Sequence, residues 1–187
     1  MPKRSTIGRE EILNAAAEVV RKRGERELNA RAIAKELGCS TQPVYSCFRG
    51  MDELKAALFE TAKARYHEHI EEYIRLSGRS RYESYGMGFV RFAREERGLF
   101  QFLFLSGTRG PVADPYFEEI ISEMVKHYHM SEETARAFHR DMAVYSFGLA
   151  VGAGQEISYE EISAAFKREF YALYSYYFPD RPRLGGN

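Results

Sequence analysis

The sequence has no net charge to offer a polyanion, since 27 Lys and Arg balance 27 Asp and Glu. Any grip on nucleic acid must come from a local surplus. It also has no hydrophobic run fit to cross a bilayer. The longest nearly apolar stretch, Leu99 to Leu105, falls far short of the roughly 20 residues a spanning helix needs. No apolar segment follows the basic Lys3-Arg4 pair, which speaks against a secretory signal. Cysteine is scarce: Cys39 and Cys47 stand eight positions apart with no Cys or His close by, which is not zinc-ligand spacing. Spacing alone leaves a disulfide within a small helical unit open. The expectation is a reducing cytoplasm, with both thiols serving as small core residues.

Catalytic signals are missing too. No paired carboxylates and no Ser/His/Asp or Cys/His arrangement stand out. Gly86-Met87-Gly88 and Gly152-Ala153-Gly154 follow no strand, so they make poor phosphate loops. His67-x-His69 and His127-x-His129 would put their two rings on different helix faces, which argues against a metal. No cofactor is expected. No stretch alternates polar and apolar residues as a strand would.

What is present is divided unevenly. Residues 1–50 hold ten Lys and Arg against six Glu, while residues 51–187 hold 17 basic against 21 acidic residues. Only Tyr45 and Phe48 among the 26 aromatics lie in the first fifty. A basic, aromatic-poor head (1–50) and an acidic, aromatic-rich body (51–187) suggest two domains with two tasks.

The pattern throughout is helical. Ile12, Leu13, Ala16, Val19 and Val20 form one stripe of a helix from about Arg9 to Arg23, which Gly24 ends. Asn29 is a good N-cap for a short helix Ala30–Leu37, and Gly38 supplies a left-handed stop. Ser40 is read as the cap of a third helix running from Thr41 to about Phe48. Asp52 and Glu53 open a long helix lined by Leu54, Leu58, Ala62, Tyr66, Ile70 and Tyr73. Further helices carry Tyr82, Tyr85, Phe89 and Phe92, then the apolar stretch 98–105, then Phe117 to Tyr128. A loop of Gly, Pro and Asp spans 107–115. Ser131 caps a helix reaching Gly152, and Ser158-x-x-Glu161 is a capping box for a last helix to Phe178. The fold class is all-α, with about nine helices.

The informative segment is Leu28 to Leu54. Two short helices joined by a three-residue turn must cross closely to share a core. Ala34 is small at the crossing, Gly38 takes the turn, Cys39 is a small plug, and Val44 packs back between the helices. That is the spacing of a helix-turn-helix. With Ile33-Ala34, Gly38-Cys39-Ser40, Val44-Tyr45-Ser46-Cys47-Phe48 and Asp52-Glu53-Leu54, the chain resembles the TetR family of bacterial transcription regulators. The resemblance is strong over 9–58 and only architectural beyond.

The resemblance implies an N-terminal three-helix helix-turn-helix domain and a C-terminal helical bundle for effector binding and dimerisation. The helix from Thr41 would lie in the major groove of double-stranded DNA. Thr41, Gln42 and Ser46 would meet base edges, with Gln suited to adenine and the Pro43 ring to a thymine methyl. Tyr45 would hold a phosphate, with Ser40, Asn29, Arg31 and Arg49 as further backbone contacts and the Lys3-Arg4 arm trailing along the duplex. Two positions depart from the family. Pro43 stands where a small residue is commoner, and Met51 stands where a phosphate-binding Lys is usual, a role left to Arg49 or Lys55.

For the body, the resemblance implies a homodimer through the last two helices, about 132–152 and 159–178, packed across a two-fold axis. Gly148 and Gly152, near Ala143 and Ala150, would allow close approach. Phe166, Phe170, Leu173, Tyr174 and Tyr177 would give a wide apolar face, unless that face closes the chain's own core. A small-molecule effector pocket is expected among Tyr66, Phe89, Phe92, Phe104, Met124, Phe138 and Tyr145, with Arg91, Arg94, His139 and Gln155 able to orient a polar group. The function expected is a cytoplasmic repressor released by that effector. The alternatives are a helical effector-binding or interaction module without DNA binding, and an all-helical enzyme.

Overall fold

The computed structural model describes residues 7–106, 116–152 and 156–181. The Lys3-Arg4 arm, the expected loop over 107–115, Gln155 and the tail after residue 181 lie outside the described residues. Every regular element described is helical. These are α1 (Arg9–Arg23), α2 (Ala30–Leu37), α3 (Gln42–Cys47), α4 (Met51–Ser77), α5 (Arg81–Glu95), α6 (Arg97–Phe100), α7 (Phe117–Tyr128), α8 (Glu132–Gly152) and α9 (Tyr159–Tyr177). A 3-10 turn at Glu25–Glu27 and a π turn at Gln101–Leu105 complete the set. The described residues form two compact units, 7–69 with 95–106 and 70–94 with those from 116 onward.

In the first unit the stripe of α1 is buried nearly as its period demands. Ile12, Ala16, Val19 and Val20 are fully buried, and Leu13 is half-exposed. Ala15 and Ala17 are buried as well, because the helix is covered on more than one side. One cover is α6, whose Gly98 lies against the carbonyls of Val20 and Arg21. Ile33, Val44, Leu54 and Leu58 complete the core, each apolar side chain contributing about 1.5–3 kcal/mol of burial.

α2 begins and ends as its residues dictate. The Asn29 side-chain oxygen accepts the Ala32 N–H at 2.9 Å. Gly38 sits at φ 65°, ψ 33°, and the N–H groups of Cys39 and Gly38 close back onto the carbonyls of Ala34 and Lys35. That pair of bonds is a Schellman close, which needs a residue tolerant of the left-handed region. Nothing lies within 4 Å of a β-carbon placed on Gly38. Gly38→Ala is therefore expected to cost about 1 kcal/mol through backbone strain alone, read as a lowered urea midpoint with an unchanged slope.

α3 departs from the expected start. Thr41, not Ser40, is the capping residue, already helical at φ −74°, ψ −11°, and no side chain bonds there. The reason is Pro43, the second helical residue: it brings no N–H for a cap to hold, and its ring presets the helical φ. The nearly apolar run 98–105 also differs from a single helix, dividing into α6 and the π turn. Capping at Ser131 and at Ser158 with Glu161 follows the sequence.

In the second unit α5 turns Ser84, Tyr85, Met87, Gly88, Val90, Phe92 and Ala93 inward. Phe138 on α8 is fully buried and meets Phe170 of α9 edge-on at 5.1 Å. Phe166 and Tyr174 are buried, and Tyr177 donates to Asp141 at 2.7 Å. The aromatic face of α9 thus largely closes its own unit. Exposed apolar surface lies on α8, at Val144 and Val151, which are 71% and 55% exposed.

Candidate functional site

α3 is a short helix with one face inward and one outward. Val44 is buried, while Gln42, Tyr45 and Ser46 are exposed. Spacings of three and four put those three side chains on one helical face. Tyr45 is 61% exposed despite its aromatic ring, an unusual position for so much apolar area. Thr41 and Pro43 are half-buried and Ser40 is exposed. The Ser46 hydroxyl donates to the Gln42 carbonyl at 3.0 Å, so it faces a partner as an acceptor.

The frame behind this face is held by an arginine the sequence reading counted only as charge. The Arg9 guanidinium donates at 3.0 Å to the Cys47 carbonyl, which ends α3, and at 3.0 Å to Glu53, which opens α4. It also covers the Phe48 ring at 4.1 Å. Glu53 in turn accepts the Arg49 N–H at 2.9 Å. That backbone bond and Arg9 hold the Glu53 carboxyl below the usual carboxylate range. α3 is thereby clamped at its C-terminal end and turned by Gly38 ahead of its start.

Ion pairing divides the head's cations into two groups. Arg21 pairs with Glu18, Lys22 and Arg23 with Glu36, and Lys55 with Glu25 at 3.3 Å. Arg26, Arg31, Lys35 and Arg49 are exposed and have no ion pair among the described residues. Arg31 and Arg49 had been singled out from sequence; Arg26 and Lys35 had not. Exposure and the absence of an ion pair are the signal, and both belong to tertiary structure. Asn29 is exposed, but its cap bond to Ala32 and its donation to the Glu27 carbonyl at 3.1 Å occupy much of its capacity.

The second unit holds a cavity of about 140 Å³. Tyr82, Tyr85, Tyr128, Phe166, Phe170 and Tyr171 supply its aromatic walls, and Glu83, Lys167, His139 and Ser146 its polar points. Burial pushes the Tyr85 hydroxyl up to about 12 and raises Tyr128 as well, so both stay neutral. Of the polar groups considered from sequence, His139 is on the wall. Arg91 and Arg94 lie over the Tyr159 ring at 5.6 and 5.2 Å.

None of the seven residues named from sequence for a pocket lines this cavity. Phe92, Met124 and Phe138 are fully buried, Tyr66 packs against Phe104 at 5.4 Å in the first unit, and Phe89 neighbours Phe147 at 6.4 Å. Tyr145 lines a separate shallow groove with Leu149 and Arg168.

Cys39 and Cys47 are free thiols, each half-buried where core positions were expected. No group of three His, Cys, Asp or Glu suited to a metal occurs among the described residues. No described helix is long and apolar enough to cross a membrane.

Residues 12–58 match the family model described as bacterial regulatory proteins, tetR family. No curated protein matches the sequence. Among solved structures, a TetR-like transcriptional regulator from Rhodococcus sp. RHA1 is similar at a TM-score of 0.60 and 19% identity, over 91% of this chain and 96% of that one. A TetR-family member from Streptomyces coelicolor A3 gives 0.59 and 19%, over 86% and 96%. The multidrug binding protein EbrR, complexed with imidazole, gives 0.58 and 18%, over 90% and 96%. At these identities the likeness is one of fold.

Proposed function

We propose that the chain, whose residues 12–58 match the family model of bacterial regulatory proteins, tetR family, is a cytoplasmic transcription regulator that binds duplex DNA as a homodimer and is released from it by a small molecule. In this reading residues 1–50 bind DNA and residues 51–187 bind the effector and dimerise. The observation that carries it is the outward face of α3. A helix with Gln42, Tyr45 and Ser46 exposed on one side and Val44 buried on the other has the form of a recognition helix entering a major groove.

Each residue has a role in this reading. Gln42 reads a base edge, with Thr41, Pro43 and Ser46 beside it. Tyr45 and Ser40 hold phosphates, and Arg31, Arg49, Arg26 and Lys35 supply unpaired charge to the backbone. Asn29 and Lys55, already engaged within the head, contribute less. The family model matched by residues 12–58 describes regulatory proteins, which favours this reading over an enzyme. A multidrug binding protein of the same fold has been seen complexed with imidazole, and the cavity of the second unit is the place for a small molecule here. Release follows if the effector favours a spacing of the two heads that no longer matches successive major grooves.

Two variants test the assignment. Tyr45→Phe is expected to weaken binding to every duplex alike, because a phosphate contact carries no sequence information. Gln42→Ala is expected to relax the preference at one position of each half-site by about 1–3 kcal/mol. Both are measured by titrating labelled duplexes at several salt concentrations. If both variants bind like the parent, α3 does not enter the groove.

A further inference from the structure

Charge is spread unevenly around the cavity of the second unit. One oxygen of Glu83, Oε1, receives the Arg79 guanidinium and, at 2.8 Å, the Ser163 hydroxyl. The Lys167 ammonium stands 3.8 Å from that same oxygen, beyond hydrogen-bond reach. Two cations thus face one carboxylate, and the nearer of them already holds it. Among the described residues Lys167 makes no hydrogen bond, so its N–H donors are left to water or to a guest. The balance is reversed behind Tyr85. Its hydroxyl accepts from Arg81 at 3.0 Å, and Arg81 also pairs with Glu119 and, at 3.3 Å, with Glu123. Two carboxylates share one cation there. An anion entering the cavity is therefore drawn to Lys167 and repelled from the surroundings of Tyr85.

The lining also changes with depth. Ile120, Met142 and Phe166 are buried, whereas Ala143, Lys167 and Tyr171 are exposed. The cavity thus runs from an apolar interior to a wet mouth, where the Lys167 side chain is 53% exposed. A carboxylate paired at that mouth keeps part of its hydration and escapes the full cost of burying an ion. An apolar body behind it meets the rings of Tyr82, Tyr128 and Phe170. Because the mouth is open, the enclosed volume sets no upper limit on the length of that body.

We propose that this cavity binds a monocarboxylate with an apolar body, the carboxylate pairing with Lys167 at the mouth and the body lying against the buried wall. This rests on the reading of residues 51–187 as an effector-binding body.

The test is calorimetric titration of the full chain, without DNA, with 2-naphthoate, 2-naphthamide, 2-naphthamidinium and acetate. The first three share a shape and differ in charge, and acetate has the charge without the body. Naphthoate is expected to bind about tenfold more tightly than the amide, with the amidinium and acetate weaker than naphthoate by at least as much. Lys167→Met, at an exposed position, is expected to weaken naphthoate about tenfold and leave naphthamide unchanged, a split that a loss of packing does not produce. Lys167→Arg is expected to retain most of the affinity. Ala143→Phe, which fills the mouth, is expected to weaken naphthoate and naphthamide alike, and so separates binding in the cavity from attachment to an exposed lysine. The proposal is overturned by an amide, amidinium or acetate that binds as tightly as naphthoate, by Lys167→Met acting on neither probe or on both equally, by an inert Ala143→Phe, or by no binding of naphthoate. DNA binding is measured separately with each probe. Naphthoate that binds while DNA stays bound upholds this site and removes the effector reading. Absence of naphthoate binding overturns this site and leaves the effector reading to whatever other compound releases DNA.

Discussion

Gly98→Ala is expected to destabilise the unit built on residues 7–69 and 95–106 by about 3 kcal/mol, the upper end of what overpacking costs. Its β-carbon would fall 2.2 Å from the Val20 carbonyl oxygen, 2.7 Å from that of Arg21 and 2.8 Å from the Arg21 α-carbon. All three are backbone atoms, so no rotamer change relieves the contact. The last turn of α1 would have to withdraw by about 1 Å to restore ordinary contact. The Val20 carbonyl also accepts the Gly24 N–H that closes α1, at 2.8 Å, so the same movement strains the end of the helix. A melting temperature lowered by about 12–24 °C is the expected reading for a unit of this size. An unchanged melting temperature would contradict the packing of α6 on α1.

The second large effect is expected at the apolar stripe of α8. Val144 is 71% exposed and Val151 55%, and nothing lies within 4 Å of β-carbons placed on Gly148 or Gly152. On a free monomer surface, Val144→Glu would change stability by no more than about 0.5 kcal/mol. In the homodimer proposed above, a two-fold axis would set this face against its copy and bury two like charges. The dimer dissociation constant is then expected to rise about 100-fold or more, with DNA affinity falling alongside. Sedimentation equilibrium of parent and variant over a range of concentrations measures it. A variant that remains as dimeric as the parent would contradict this choice of interface.

The parts of the fold that were legible in the sequence are those governed by one residue's chemistry or by a clear period. Asn29, Gly38 and the Ser158-Glu161 box each have a backbone consequence within three residues, and all three appear as read. The stripe of α1 was legible because apolar positions there alternate with charged ones. Between Leu99 and Leu105 almost every residue is apolar, so no period marked the change from α6 to the π turn. The third helix starts one residue later than Ser40 implied, because a proline two positions after Thr41 makes Thr41 the capping residue with no side-chain bond.

Side-chain partners across the chain were less accessible. Helical spacing says that Phe92, Met124 and Phe138 face inward, and they do. It does not say whether an inward aromatic fills a core or borders a void. The cavity walls came instead from Tyr82, Tyr128 and Phe170, which share the same spacing. Arg9 had the sequence signature of a solvated helix-end charge, yet it ties α3 to α4 across 38 and 44 positions. Which cations stay unpaired depends on such long-range neighbours, so Arg26 and Lys35 emerged only from the structure.

Selection of bound sequences from random duplex DNA tests the outward face of α3 and the pairing of two heads in one measurement. The expected product is a two-fold symmetric site whose half-sites lie about one helical turn, or a multiple of it, apart, bound with an affinity that falls steeply as salt rises. A pool that remains random after repeated rounds, or an enriched site without symmetry, would contradict the account.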